Sequence, residues 1–268
     1  MNPLLETMST AFVLAVGLMT AVWVLSLARK DASVIDPFWG LGFLLVAVAS
    51  CLLNGFVPRT NLLLILVALW SLRLSLYLLW RNWGHGEDRR YVQMREKHGR
   101  QFWWVSLFSV FLLQGVVLWF VSLPIQVAAS HAWSTPFSVL DAAGTLLWGT
   151  GFVFESVGDW QLARFKAQPE NSGRVMDRGL WRYTRHPNYF GDCCVWWGLY
   201  LICVAGGAWW TVLSPALLTI LLLAVSGVSL LESTIGSRRP DYAAYQSRTN
   251  AFFPGPPKRA VTRHGHVD

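Results

Sequence analysis

The chain has 268 residues, of which 54% are hydrophobic and only 14% charged, with a mean hydropathy of +0.39. Soluble domains carry about 25% charged residues, so this balance excludes an ordinary soluble domain and points to a membrane protein. The formal net charge of +7 does not imply nucleic acid as a partner, because the basic residues follow the loops of a membrane topology.

Apolar runs near the length of a span, about 20 residues, fall at about 8–28, 38–53, 61–80, 104–129, 137–158, 189–208 and 209–231. The first lacks the basic start and small-residue cleavage site of a secretory signal peptide and is expected to remain as a helix. The second is short, and Gly206–Gly207 joins the last two in a tight turn. Arg29 and Lys30 follow the first run. Arg81, Arg89, Arg90, Arg95, Lys97 and Arg100 follow the third. Arg164, Lys166, Arg174, Arg178, Arg182 and Arg185 follow the fifth, and Arg238, Arg239, Arg248, Lys258, Arg259 and Arg263 the last. Of the 22 basic residues only Arg59 and the intramembrane Arg73 fall elsewhere.

The positive-inside rule places these loops in the cytoplasm, the N-terminus outside and the C-terminus inside, with an odd number of spans. The expected fold is all-α, a polytopic integral membrane bundle of about seven transmembrane helices. It forms a single transmembrane domain over 1–254, with substrate-side helices in 1–130, cofactor-side helices and loops in 137–254, and a disordered tail at 255–268. The expected location is a bacterial inner membrane.

Several polar groups are not explained by topology. Asp36 opens the second run in "VIDPFWG", and Arg73 lies mid-span. Glu155 and Asp159 share a helix face at the end of the fifth run, Asp192 follows Asn188 by one turn, and Glu232 closes the last run. An ionised side chain in a membrane helix costs roughly 2.5–3.5 kcal/mol even on insertion scales, so it faces a partner or a watery cavity. Interhelical ion pairs, such as Arg73 with Asp36, are the plain explanation for any one of them. Four acids gathered beside the two most basic segments imply a polar cavity open to the cytoplasm.

The stretch "RYTRHPNYFGD" (182–192) enters that cavity. Pro187 suits the first position of a helix, whose free N–H groups and dipole favour anions. Arg182, Arg185 and His186 surround that end, and Asn188 and Asp192 line one face a turn further in. The set suits a ligand with an anionic part and a polar, uncharged part, as a nucleotide has. No G-x-G-x-x-G follows a strand and no phosphate-binding G-x-x-x-x-G-K-[ST] occurs, so a soluble nucleotide domain is not expected. Cys51, Cys193, Cys194 and Cys203 lie in apolar stretches without metal-ligand spacing and are expected to be small buried hydrophobes. No metal site is expected. The 16 tryptophans suit bilayer interfaces and ligand-pocket walls.

"GLWRYTRHPNYFGD" (179–192), "WWG" (196–198), "GEDRRY" (86–91), "ESVGDWQLARFK" (155–166) and "RRPDYAAYQSRTNAFFP" (238–254) resemble the steroid 5-alpha-reductase-like bacterial membrane proteins. The likeness covers about residues 30 to 254 and is strongest over the last hundred. This superfamily also resembles isoprenylcysteine carboxyl methyltransferases, which share an R-H-P-x-Y-x-G stretch and use S-adenosylmethionine; Asn188 with Tyr189–Phe190 favours the reductase side. The reductase resemblance implies a seven-helix bundle holding NADPH between the cytoplasmic halves of the last helices. By position Asp159, Lys166, Arg174, Asn188 and Asp192 match cofactor-binding residues of steroid reductases, with Asp192 standing for a glutamate. Tyr183, Arg185 and His186 match the bacterial relatives, and Tyr189, Arg238 and Tyr242 from the same stretches complete the candidate set. The Gln-Glu pair and the tyrosine that hold the steroid ketone have no clear counterpart; Asp36 stands in for the acid, and Trp70 falls near the tyrosine position. A steroid is therefore not the implied substrate.

The expected activity is NADPH-dependent reduction of an activated C=C bond in a lipophilic substrate from the bilayer, sterol-like, isoprenoid or fatty enone. Asp36 or Glu87 would be the catalytic acid, kept protonated by desolvation to polarise the substrate carbonyl. The alternatives are an S-adenosylmethionine-dependent methyltransferase and a non-enzymatic lipid-binding protein whose polar residues only lock helices. Membrane lipids are expected partners, and nucleic acid is not.

Overall fold

The computed structural model of the chain describes residues 2–131, 136–225, 228, 232 and 239–258, and every regular element among the described residues is helical. Pro3–Arg29 (α1) starts on Asn2, whose side chain accepts the Leu4 N–H, and Pro3 loses nothing at a first turn. Ile35–Asn54 (α2) and Pro58–Asn82 (α3) follow. The polar helix Arg89–His98 (α4) is capped by the Asp88 carboxylate, which accepts the Arg90 N–H. Phe102–Ser106 (α5), the π-helical turn Leu107–Leu112 and Leu113–Val121 (α6) run on from one another. Leu123–Ser130 (α7), Val139–Lys166 (α8), Pro187–Val204 (α9), Leu213–Ile220 (α10) and Tyr242–Arg248 (α11) complete the set.

Two boundaries differ from the sequence expectation. The run at 104–129 breaks at Ser122, because Pro124 has no N–H and its ring displaces the carbonyl four residues back. That carbonyl, of Phe120, accepts the Ser214 hydroxyl instead at 2.8 Å. The run at 137–158 continues to Lys166, so the helix carries Asp159 within it rather than at its end. Among the described residues four stretches are long and apolar enough to cross a membrane: Pro3–Arg29, Ala32–Asn54, Pro58–Asn82 and Arg89–Val121. Trp209–Ala224 is a shorter apolar helix. These helices are those of a membrane protein.

The chain divides into two compact units, residues 1–145 with 199–214, and residues 146–198 with 215–268. In the first, α1 packs on α2 and α6, and α2 on α3 and α7. Ala11, Ala15 and Met19, four apart on α1, are buried. Gly115 on α6 lets the helices close, since a Cβ there would already touch Ala15 O and Met19 Cγ at 3.4 Å. Small residues at such crossings replace the hydrophobic effect that lipid does not supply. Arg59 and Asp141, both 3% exposed, form a bidentate pair at 2.7 and 2.9 Å that also draws in Pro136 O and Ser138 N.

In the second unit α8 and α9 cross almost backbone to backbone. A Cβ on Gly151 would sit 2.4 Å from Gly191 O, and one on Gly191 would sit 2.5 Å from Glu155 N. Residues after α11 fold back along the entry to α9: Arg185 N donates to Asn250 O (2.9 Å), Thr184 Oγ1 to Phe252 O (2.8 Å) and Gly255 N to Tyr183 O (3.0 Å).

Candidate functional site

The glycine crossing sets two polar helix faces against each other. Glu155 and Asp159 on α8 are 4% and 6% exposed, and Asn188 and Asp192 on α9 are half-buried. Asn188 Nδ2 donates to Asp159 Oδ1 at 3.3 Å, and the crossing passes between Glu155 and Gly191. A row of carboxylates and an amide on facing helices accepts hydrogen bonds from hydroxyls and binds a carboxamide. The structure thus brings together Asp159, Asn188 and Asp192. Lys166 and Arg174 are exposed in the same unit, as is Tyr183 at 45%. Arg239 donates to the Arg174 carbonyl. Arg238 lies outside the described residues.

Beside this face sits a second polar centre, around Glu232. Arg185 grips both oxygens of its carboxylate, Nε to Oε1 at 2.8 Å and Nη2 to Oε2 at 2.9 Å. The same guanidinium's Nη1 donates to Gln246 O (3.1 Å) and Thr249 O (2.6 Å). His186 Nε2 meets Glu232 Oε1 at 3.0 Å, and its ring stacks on Tyr189 with centroids 5.5 Å apart and planes at 3°. Gln246 Nε2 also donates to Glu232, at 3.1 Å. Burial raises the Glu232 pKa, but the bonds from Arg185 and His186 outweigh it and hold the group below the ordinary range. Burial also holds the His186 ring below its ordinary value, despite the carboxylate. The ring is therefore neutral at pH 7 and meets Glu232 as the Nε2–H tautomer. Buried Tyr242 stands beside this pair, and burial and the Glu232 charge raise its hydroxyl to about 12.

This corrects the expected role of Arg185. Four of the five donors of a guanidinium have acceptors inside the protein, so Arg185 ties α9's entry to α11 rather than presenting itself to a phosphate. His186 and Tyr242 belong to the same internal centre.

The two catalytic candidates lie in the first unit and are not equivalent. Glu87 accepts the Ala32 N–H at 2.7 Å and the Arg95 guanidinium at 2.8 and 2.9 Å. Burial raises its pKa, yet those bonds bring it below the ordinary value. Glu87 is thus an ionised structural acid that fastens α4 to the start of α2, which corrects its expected role as a protonated donor. Asp36 accepts the Tyr91 hydroxyl at 3.2 Å and faces Arg90 (3.4 Å) and Arg81 (3.6 Å). The donor of that bond, Tyr91, is 5% exposed. Tyr91 was the residue that sequence reasoning passed over, although it closes the "GEDRRY" stretch. Trp70 is wholly buried against Phe43, with centroids at 5.7 Å. Among the described residues no three His, Cys, Asp or Glu side chains gather as a metal site, and all four cysteines are buried free thiols.

No solved structure matches the chain. An uncharacterised protein of the fission yeast Schizosaccharomyces pombe is 26% identical over 287 aligned positions, which cover 94% of this chain and 80% of the relative. A family model described as "Protein of unknown function (DUF1295)" matches residues 22–249. That match takes in every helix from the end of α1 to α11, and the chain therefore belongs to this family, the steroid 5-alpha-reductase-like group.

Proposed function

We propose that the protein is a membrane-embedded reductase that transfers hydride from NADPH to an activated C=C bond of a lipophilic substrate, an enone of sterol-like, isoprenoid or fatty character. The observation that carries the reading is the facing pair of polar helix faces, Asp159 with Asn188 and Asp192 a turn further. Ribose hydroxyls and a nicotinamide carboxamide need such acceptors and an amide at close quarters. Exposed Lys166 and Arg174 would meet the phosphates, since Arg185 is tied to Glu232. Membership of the steroid 5-alpha-reductase-like group supports the same chemistry. NADPH would supply the hydride. The substrate then needs a hydrogen bond at its carbonyl oxygen as enolate charge develops, and a proton afterwards. Tyr91, whose hydroxyl donates to Asp36, would suit that task by turning its O–H from the carboxylate to the carbonyl.

In this proposal the chain crosses a bacterial inner membrane seven times, with the C-terminus in the cytoplasm. Segments within α8, α9 and 209–231 would add the three further spans. A reporter fused after Asp268 would read cytoplasmic; a periplasmic signal would refute the orientation.

A second reading, an S-adenosylmethionine-dependent methyltransferase, is favoured by one observation. With the Arg185 charge neutralised by Glu232, the α8–α9 face is dominated by carboxylates, and a sulfonium cation prefers acids and aromatic faces. The deciding assay follows NADPH oxidation by absorbance in reconstituted protein given an enone-bearing lipid. Enone-dependent oxidation is expected. Its absence across sterol, isoprenoid and fatty enones, with methyl transfer detected instead, would move the assignment to the second reading.

A further inference from the structure

The second unit also holds an open cleft of about 490 Å³ lined by Asp177, Arg178, Gly179, Arg182, Arg248, Thr249 and Pro257. Three of its seven lining residues are arginines and one is an acid. Arg248 is matched by Asp177, to which its guanidinium donates. Arg178 and Arg182 are exposed, and among the described residues neither guanidinium has an acceptor. The cleft is therefore lined by two arginines whose charge no acid among the described residues offsets. Two positive charges in one concavity repel each other, and a bound anion relieves that repulsion.

The local fold fixes the backbone that carries the two arginines. Arg178 precedes the 3-10 turn Gly179–Arg182 and Arg182 ends it. The turn is pinned at its two central residues, by Leu180 N donating to Gln161 Oε1 (3.0 Å) and by Trp181 Nε1 donating to Gly158 O (3.0 Å). Gly179 has φ +59°, and a Cβ there would strike the Gln161 amide at 2.4 Å, so the turn closes only with glycine at this point. The far wall is fixed by Lys258 N donating to Arg248 O at 2.8 Å. Two guanidinium forks on a rigid turn match the tetrahedral oxyanion of a phosphate, to which arginine binds with two parallel N–H bonds. A carboxylate is a poorer fit, because one negative charge leaves the second arginine uncompensated.

We propose that this cleft binds a phosphate group, as a phosphate ester or a phospholipid headgroup. The lipid source is favoured by position. Tyr183, next to Arg182 in sequence, and Phe253, on the segment between Thr249 and Pro257, are 45% and 72% exposed, as aromatic residues at a membrane interface are. The cleft shares no residue with the α8–α9 face, so its fate is independent of the reductase proposal.

The test uses the full chain, purified in a neutral detergent and stripped of lipid, as wild type, as the Arg178→Ala/Arg182→Ala double variant, and as an Arg178→Lys/Arg182→Lys variant. A Lys97→Ala/Arg100→Ala variant of exposed residues elsewhere controls for net charge. Melting is followed on titration with inorganic phosphate, and separately with phosphatidylglycerol or phosphatidylcholine doped into the micelles. The wild type is expected to be stabilised by a phosphate-bearing ligand, with half-saturation raised about tenfold or more in the alanine variant. The lysine variant is expected to fall between, and the control to match wild type. Stabilisation by phosphatidylglycerol alone assigns a lipid headgroup; stabilisation by inorganic phosphate as well assigns a soluble phosphate ester. No shift with any of them, or equal shifts in wild type and alanine variant, overturns the proposal. Only backbone atoms of Arg178 and Arg182 bond within the described fold, so unliganded melting should be the same in all four proteins.

Discussion

Arg185 illustrates how a residue's type and its task can part. A basic side chain just before Pro187 invites a phosphate, and nothing in the stretch "RYTRHP" announces that its acceptor is Glu232, 47 residues on. Removing it would leave a part-buried carboxylate beside a neutral imidazole and strand the Gln246 and Thr249 carbonyls. Breaking such a pair costs about 3 kcal/mol, so Arg185→Ala should melt well below wild type in the absence of any nucleotide. Arg185→Lys should recover little, because one ammonium cannot reproduce the fork. Wild-type melting with weakened NADPH binding would return Arg185 to the phosphate role. Asp36, by contrast, was legible as a carboxylate opening an apolar run. Its partner Tyr91 was not, being 55 residues away in a polar segment that looks like helix surface. Tyr91→Phe removes only the hydroxyl. It should lower enone-dependent NADPH oxidation by about 10² or more, the scale of a lost proton donor, and leave NADPH affinity unchanged. An unchanged rate would remove Tyr91 from the chemistry.

At the scale of elements, hydrophobic runs located the helices well, because length and apolarity are local properties of the chain. The failures were where one residue overrides a run, as Pro124 does in 104–129, or where a helix continues beyond the apolar part, as α8 does to Lys166. The α8–α9 crossing was invisible for another reason: glycine in an apolar segment looks like any small residue until the facing backbone is known. Gly191→Ala places a Cβ 2.5 Å from Glu155 N. Overpacking against backbone costs about 1–3 kcal/mol, and spreading the helices should also pull Asn188 from Asp159 and weaken NADPH binding. Gly149→Ala, with nothing within 4 Å of its Cβ, is the matched control and should hold or gain about 1 kcal/mol of stability in a helix. Equal melting of the two variants would contradict the close crossing.

For the whole molecule, alternation of basic and neutral loops suggested an ordered membrane topology, and four helices meet the measure of a span. The division of the chain was not legible. Residues 199–214 rejoin the first unit after α8 and most of α9 have built the second, and only long-range contacts carry that information. The polar α8–α9 face itself was largely readable, since Glu155, Asp159, Asn188 and Asp192 are costly in apolar helices and recur at one-turn spacing. The central claim is that this face holds NADPH. Its most direct test is calorimetric titration of the detergent-solubilised protein with NADPH, NADH and S-adenosylmethionine, in wild type and Asn188→Ala. NADPH should bind wild type more tightly than NADH does, through contacts of Lys166 and Arg174 with the extra phosphate. Asn188→Ala should lose about 1.5–3 kcal/mol of that affinity, the scale of a hydrogen bond to a charged group, with melting unchanged. Binding of S-adenosylmethionine alone, or of none of the three, would contradict it.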